Sequence, residues 1–212
     1  YGMTECMRIS YLPPEQLDSR PGSVGRGMPN QAHWLVDEAG QPLPHGSTGE
    51  LVVRGSHVMR GYWRRPEATA ERLKPGAHPG EHVLHTGDIF RSDADGYLYF
   101  EARKDDIIKS RGEKVAPREV EEAILQLSDV AACAVVGVPD DLLGQAVKAF
   151  VTLRTGATLD AKVIIRHCQQ TLDPHLVPKF VAFLAEMPRT ESGKIRHASL
   201  RGTSASTPLL PS

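Results

Sequence analysis

The spacing of hydrophobic residues changes along the chain, and the change falls after about residue 102. Before that point, short runs rich in β-branched and aromatic residues alternate with turns rich in Gly and Pro, which predicts strands. The predicted strands cover residues 33–37, 50–54, 57–63, 83–85 and 97–101. A hairpin-type turn is predicted at 93–96. A short helix is predicted over 67–73, since Pro66 is tolerated in a first helical turn.

After residue 103, apolar positions recur with helical spacing in two segments. Over 117–127 they fall on one face, which predicts an amphipathic helix. A second helix is predicted over 159–172, with Thr158 as its N-cap. Continuous apolar runs are typical of buried strands. Strands are therefore predicted over 130–138, 148–153 and 180–184.

These elements predict an α+β fold in two units. A β-rich unit covers residues 1–102 and a small α+β unit covers 103–201, with the joint in the polar segment that begins at Arg103. Residues 202–212 are Ser, Thr, Pro and small residues without periodicity, so we expect a flexible tail.

Composition excludes several function classes. The chain has 212 residues, 40% of them hydrophobic, and its 25 basic and 26 acidic residues give a net charge of -1. This balance gives no electrostatic reason to expect nucleic acid or an anionic membrane as the main partner. No apolar run approaches the roughly 20 residues that span a bilayer, which predicts the absence of a membrane span. The oligomeric state is left open.

The cysteines and the first residues indicate where the protein works and how much of it is present. Three cysteines, far apart and in no C-x-x-C pair, argue against a disulfide framework or a zinc site and favour a reducing compartment, with the cytoplasm as the default. The first residue is not Met, and the chain begins inside a motif. We therefore expect a piece of a longer protein.

Four polar motifs follow one another along the chain: Tyr1-Gly2-Met3-Thr4-Glu5, His85-Thr86-Gly87-Asp88, the segment from Arg103 to Val115, and Pro188-Arg189-Thr190-Glu191-Ser192-Gly193-Lys194-Ile195. Each has an ordinary structural reading by itself, such as an exposed lysine or a turn aspartate. In this order the four motifs resemble the C-terminal part of the superfamily of AMP-forming acyl-CoA synthetases and adenylation domains, which also contains luciferases. The resemblance covers roughly residues 1–201.

The resemblance implies a fold and a two-step reaction. The first unit would be the β-rich, barrel-like C-terminal subdomain of a large adenylating domain, and the second a small mobile lid. The reaction would join a carboxylic acid to ATP, giving an acyl-adenylate and pyrophosphate, and then transfer the acyl group to the thiol of CoA. ATP, Mg²⁺ and CoA are the implied cofactors, and the partners are small molecules.

The resemblance also assigns residues to the nucleotide and the metal. Tyr1 would lie against the adenine ring, and the Thr4 hydroxyl near the phosphates. Glu5 would hold the Mg²⁺ ion. The two oxygens of Asp88 would accept hydrogen bonds from both ribose hydroxyls, and Arg103 would reach the ribose and phosphate side.

Three residues of the second unit receive roles in the same way. Lys194 would be the catalytic residue, with its ammonium offsetting charge that develops between the acid and the α-phosphate. Asp105 matches the hinge position about which the lid rotates. Gly112 would line the tunnel that the pantetheine thiol enters. The family often has an arginine three residues after the lysine, where this chain has His197, which puts the C-terminal anchoring in doubt.

Other functions remain open. An adenylation protein that loads an amino or aryl acid onto the pantetheine of a carrier protein carries similar motifs. A protein-docking module without catalysis, or a structural fragment with relic motifs, are the alternatives from other classes. The upstream phosphate loop of the family is missing from the sequence, so we expect no activity from this chain alone. The acid substrate cannot be read from these residues.

Overall fold

The computed structural model describes residues 1–191 and 193–201 and has an α+β fold. Two compact units are present, Tyr1–Asp105 and a second that begins at Asp106. The predicted tail at 202–212 lies outside the described residues. In the part of the chain that is described, no helix has the length and apolar character needed to cross a membrane.

The first unit is built on a curled, half-barrel sheet whose strand order is β1-β2-β7-β6-β4-β3, with β5 paired to β6. Its strands are β1 (Ser10–Tyr11), β2 (Ser23–Gly27), β3 (Ala32–Val36), β4 (Thr48–Arg54), β5 (Leu73–Pro75), β6 (His82–Ser92) and β7 (Leu98–Arg103). Helix α1 (Pro66–Arg72) precedes β5, and short 3-10 turns cover Pro14–Gln16 and Lys104–Asp106. The predicted hairpin turn is confirmed, because the Gly96 amide donates to the Asp93 carbonyl at 3.1 Å.

The core of this unit lies on one face of the central strands. The largest fully buried side chains are Phe90, Leu51, Leu84 and Ile9, from β6, β4 and the segment before β1. Two edge-to-face contacts join Phe90 to Tyr1 at 4.9 Å and to Phe100 at 5.5 Å between ring centroids. This packing places the first residue of the chain against the middle of β6.

The prediction of a strand over 57–63 is wrong. Only Val58 makes a bridge, to Cys6, and the Met59 amide donates to the Glu5 carbonyl at 2.8 Å. The chain instead turns twice here, since the Val58 amide donates back to the Gly55 carbonyl and the Arg65 amide donates back to the Tyr62 carbonyl. The β-type residues of this segment therefore form an irregular stretch of chain that runs beside Glu5 and Cys6 of the N-terminal segment.

The second unit has a five-stranded sheet in the order β10-β11-β8-β9, with β12 parallel to β11. Its strands are β8 (Ile108–Ser110), β9 (Glu113–Val115), β10 (Val130–Asp140), β11 (Gly144–Leu153) and β12 (Phe180–Phe183). Its helices are α2 (Pro117–Leu125), α3 (Ala161–Thr171) and α4 (His197–Arg201). The two strands β8 and β9 were not predicted, because three-residue strands carry too little pattern to be recognised.

The hairpin of β10 and β11 is buried on both faces, which explains the unbroken apolar run over 130–138, although β11 also carries the buried Lys148. Val135 and Val147 pack with α2 and α3 on one face, while Val136 and Phe150 pack with Met187 and Leu200 on the other. A strand that is buried on both sides needs apolar residues at consecutive positions. The hairpin is thus the platform that holds both the helices and the C-terminal segment.

Helix α3 begins two residues later than predicted. The N-cap is Asp160, whose Oδ1 accepts a hydrogen bond from the Lys162 amide at 2.9 Å. Thr158 is exposed and lies before the cap. Both residue types are good caps, so the sequence alone does not separate them.

The cap assignment predicts a difference between two conservative substitutions. Asp160→Ala should lower the free energy of unfolding by about 1 kcal/mol, the usual effect of losing an N-cap. Thr158→Ala, its matched control, should change it by less than about 0.5 kcal/mol. Urea denaturation followed by circular dichroism measures both values. Equal effects would contradict the cap assignment.

Candidate functional site

A β-bulge in β6 shapes the region around Asp88. In the pairing of β4 with β6, Glu50 lies opposite Ile89 and Val52 opposite His85, so that Leu51 faces the three residues 86–88. Gly87 takes φ of +73°, a left-handed conformation that glycine adopts without strain. Bulges of this kind redirect a side chain. Here the bulge sets the direction of the Asp88 carboxylate.

Two side chains fix the backbone of the bulge. The Thr86 hydroxyl donates to the Leu51 carbonyl at 2.8 Å and accepts from the Asp88 amide at 3.1 Å. Arg72 of α1 donates from Nη1 to the Thr86 carbonyl at 3.1 Å. A Cβ at Gly87 would meet the Arg72 guanidinium at 1.9 Å, so glycine also makes room for this contact.

The carboxylate of Asp88 is buried between two partners. Its Oδ2 accepts a hydrogen bond from the Tyr1 hydroxyl at 2.5 Å. Arg103, opposite Asp88 on β7, brings Nε to 3.1 Å from Oδ1. Oδ1 is buried, yet it accepts no well-directed hydrogen bond from the described residues. The Arg103 side chain is 57% exposed and Asp88 is 5% exposed, so the arginine covers the carboxylate from the solvent side.

The Tyr1 hydroxyl acts as a donor in this arrangement. Burial of the ring, together with the hydrogen bond to Asp88, raises the pKa of Tyr1 above its usual value. The phenol therefore stays protonated at neutral pH. Of the residues singled out from the sequence, Asp88 thus contacts two others, Tyr1 and Arg103.

A buried glutamate that the sequence analysis missed lies behind the bulge. Glu50 Oε1 accepts from the Gly87 amide at 3.1 Å, and Oε2 lies 2.8 Å from the Lys104 ammonium and 3.6 Å from His85 Nδ1. Burial alone would raise the pKa of Glu50, but His85 and Lys104 outweigh it and lower that pKa to about 2. The available signal was an acid directly before the apolar residues 51–53 of β4.

The other two residues of the first motif lie in a turn. Thr4 is exposed between Met3 and Cys6, whose backbone groups bond each other in both directions at 3.1 Å. Glu5 is half-buried, and its Oε1 accepts from the Tyr62 hydroxyl at 2.6 Å. The described residues contain no group of three metal-ligating side chains. A lone carboxylate still suits Mg²⁺, which binds through one or two carboxylates together with phosphates and water.

Lys194 lies on a tight loop of the second unit. The Thr190 amide donates to the Lys194 carbonyl at 2.7 Å, and Arg189 pairs with Ile195 across the loop. The Arg189 guanidinium also donates to the Gly193 carbonyl at 2.7 Å. The backbone is therefore held by several bonds, while the side chain of Lys194 is exposed.

Helix α4 follows this loop and is anchored through His197. His197 Nε2 lies 3.2 Å from Glu121 Oε1 on α2, and this contact raises the pKa of His197. At the end of α4 the Arg201 guanidinium pairs with Asp106. At position 197, where the family often has arginine, this chain thus has a histidine that anchors α4 through its contact with Glu121.

Gly112 and Asp105 occupy exposed turns. Gly112 and Arg111 have φ of +81° and +55° in the two-residue turn between β8 and β9, as a type I′ hairpin requires. Open space lies where a Gly112 side chain would begin. Asp105 lies in the 3-10 turn Lys104–Asp106, and the division into two compact units falls directly after it.

Comparison with known proteins adds the family. A model of the AMP-binding enzyme family matches residues 1–63, and a model of the AMP-binding enzyme C-terminal domain matches residues 119–194. The chain belongs to the AMP-binding enzyme family. It is 41% identical over 201 residues to a long-chain-fatty-acid–CoA ligase of Salmonella typhimurium. The alignment covers 95% of this chain and 35% of that protein.

Two further relatives show how the family members differ. A sulfoacetate–CoA ligase of Cupriavidus necator is 39% identical over 200 residues, covering 94% of this chain and 38% of that protein. The crystal structure of ATP-bound MatB from Rhodopseudomonas palustris has a TM-score of 0.86 and 33% identity, covering 95% of this chain and 39% of that one. The chain thus spans little more than a third of the length of these relatives. Two of them are named for very different acids.

The pKa of Glu50 predicts a pH-dependent stability. A carboxylate whose pKa falls from 4.5 to about 2 on folding stabilises the fold above pH 4.5, and loses this contribution as the pH falls towards 2. The contribution is at most about 3 kcal/mol. Wild type should therefore be more stable than Glu50→Gln at pH 7, and the difference should shrink between pH 4.5 and 2.

Urea denaturation at a series of pH values measures this difference. Glu101→Gln removes the exposed pair with Arg91, at 3.3 Å, and serves as the control with a small effect throughout. A difference between wild type and Glu50→Gln that stays constant down to pH 2 would show that the charge of Glu50 does not stabilise the fold.

Proposed function

We propose that this AMP-binding family chain is the C-terminal portion of an ATP-dependent carboxylic acid:CoA ligase, which forms an acyl-adenylate and then an acyl-CoA thioester. The observation that carries the proposal is the contact of Tyr1 with Asp88 and of Asp88 with Arg103. The names of the relatives, two of them acid–CoA ligases and one an ATP-bound protein, support the same reaction class.

The first unit supplies the nucleotide site in this proposal. The buried carboxylate of Asp88 has an oxygen, Oδ1, that receives no well-directed hydrogen bond from the described part of the chain, and this oxygen would accept from the ribose when the exposed Arg103 side chain moves aside. The ring of Tyr1 offers an apolar surface for adenine. Thr4, in the same motif as Tyr1, is exposed and would contact the phosphates. Glu5 would hold Mg²⁺, which neutralises phosphate charge when bound.

The second unit supplies the catalytic cation. The attack of a carboxylate on the α-phosphate brings two anions together, and a lysine ammonium between them offsets the charge that develops. Lys194 suits this role because its loop is fixed by backbone hydrogen bonds while its side chain is exposed. Its neighbours on the loop bond to backbone groups and leave the ammonium available.

The thioester step uses other residues of the same unit. Without a side chain at Gly112, a pantetheine arm can approach the hairpin backbone closely. Rotation about Asp105 would exchange the Lys194 loop for this hairpin, so that the residues after 105 serve as a mobile lid on the adenylating domain. This boundary is three residues later than the one predicted from the sequence, since Arg103 still belongs to β7. Loops and joints of this kind absorb large dihedral changes at one or two residues.

Two alternatives share most of these features. An adenylation protein that loads an amino or aryl acid onto a carrier protein would use the same nucleotide site but a different thiol. A docking module would keep the fold without catalysis.

The buried and free thiols of Cys6, Cys133 and Cys168 suit a reducing compartment, so we place the protein in the cytoplasm.

Substitution of Lys194 should separate the two half-reactions. In the full-length protein, Lys194→Ala should lower acid-dependent ATP–pyrophosphate exchange by about 10²–10³, the loss typical of one preorganised electrostatic group. Thioester formation from preformed acyl-adenylate should be nearly unchanged. Arg196→Ala removes a neighbouring exposed cation and should leave exchange near the wild-type rate. An equal fall in both half-reactions would exclude the catalytic role of Lys194.

Substitution at the hinge position Asp105 should have the opposite effect on the two half-reactions. Proline fixes φ near -65° and restricts the preceding residue, so Asp105→Pro should hold the lid in the adenylate-forming pose. Pyrophosphate exchange should then persist while transfer to CoA falls steeply. Asp105→Ala, which leaves the backbone free to rotate, is the control. Thioester synthesis at the wild-type rate in Asp105→Pro would show that no rotation occurs at this residue.

A further inference from the structure

Glu50 contacts the backbone next to Asp88 and the side chain next to Arg103, although it belongs to neither motif. We infer that Glu50 is a positioning residue of the nucleotide site, which sets Asp88 through the Gly87 amide and Arg103 through the Lys104 ammonium. The inference rests on the proposed nucleotide site. It adds a residue in β4, a strand that the motifs do not include.

The link to Asp88 passes through the bulge. In the bulge, the three residues 86–88 lie opposite the single residue Leu51, so the Gly87 amide has no partner in the regular strand pairing. This amide donates instead to Glu50 Oε1 at 3.1 Å. Gly87 has no Cβ to restrict its dihedral angles. A rotation of the peptide between Thr86 and Gly87 would therefore turn Asp88 away from Tyr1. Glu50 at the amide of this peptide, together with Arg72 at its carbonyl, opposes this rotation.

The link to Arg103 passes through the next residue. Lys104 opens the 3-10 turn that follows β7, and its side chain is 54% exposed. A long, half-exposed lysine has little packing to choose its conformation, so the 2.8 Å contact with the buried carboxylate fixes it. Arg103 thus lies between its strand pairing with Asp88 and a fixed Lys104.

The two links need a carboxylate rather than any polar group. Oε1 serves the Gly87 amide and Oε2 serves Lys104, with His85 beside it. A glutamine has one acceptor oxygen and one donor group, so it can keep one link and must lose the other. The lowered pKa of Glu50, about 2, keeps both oxygens unprotonated at neutral pH.

Ribose recognition provides a test that does not depend on how much protein is folded. The affinities of the full-length protein for AMP, 2′-deoxy-AMP and 3′-deoxy-AMP are measured by calorimetry. In the wild type each missing hydroxyl should weaken binding about tenfold or more, as expected for hydrogen bonds to a charged group. In Glu50→Gln, AMP should bind about tenfold more weakly, and each missing hydroxyl should cost about threefold or less.

Two further variants complete the design. Glu101→Gln breaks the exposed ion pair with Arg91, which joins β7 to β6, the two strands that also carry Arg103 and Asp88. This variant should keep the wild-type ratios between the affinities for AMP and for the two deoxy analogues. Lys104→Met keeps the aliphatic stem at a half-exposed position, where folding tolerates it. It should weaken AMP binding by a smaller factor than Glu50→Gln and keep more of the ribose preference, because the Gly87 link remains.

The outcomes separate the inference from the proposed function. Weaker AMP binding by Glu50→Gln with wild-type ratios would make Glu50 merely structural and overturn the inference, while the nucleotide site would stand. If Glu50→Gln does not fold, unchanged AMP binding by Lys104→Met overturns the inference. A wild-type protein that binds no AMP would overturn the proposed function and the inference together.

Discussion

The buried negative charges of Glu50 and Asp88 constrain the first unit more than any other feature. A carboxylate is stable in a protein interior only when its charge is paired and its oxygens accept hydrogen bonds. Glu50 meets this condition through a backbone amide and an ammonium. Asp88 meets it in part, since its Oδ2 accepts from the Tyr1 hydroxyl and its charge is paired with Arg103, while Oδ1 accepts no well-directed hydrogen bond from the described residues. The bulge in β6 lies between the two, since its Gly87 amide bonds to one and its last residue is the other.

Two kinds of contact fix the residues around the bulge in the first unit. The strands β4, β6 and β7 are held by their ladders and by an apolar core around Phe90 and Leu51. The polar contacts add direction, because the core fixes the strands but not the dihedral angles of a bulge. Packing supplies most of the stability, and the paired carboxylates supply the orientation of the side chains that we assign to the nucleotide.

The sequence predicted what depends on periodicity and on motif residues. Most of the predicted strands and the two amphipathic helices were found within a few residues, and the four motifs led to the family. The strand predicted over 83–85 was too short, because β6 continues through the bulge to Ser92. The irregular segment after Gly55 was wrongly predicted as a strand, since β-type composition does not distinguish a strand from an irregular segment with two turns. Glu50 was missed because its importance comes from contacts with residues 37 and 54 positions away. The pairing of β4 with β6 and of β6 with β7 brings those residues together.

The two units present their chemistry in different ways, and this difference follows from electrostatics. Asp88 is buried and fixed, as suits a group that recognises a ligand. Lys194 is exposed on its loop, where water screens an ammonium and reduces its effect on any developing charge. Such a lysine stabilises a transition state strongly only after water is excluded around it. A catalytic Lys194 therefore requires the second unit to enclose it against a substrate during the adenylation step, and exposure at other times is the expected state of a residue carried on a mobile lid.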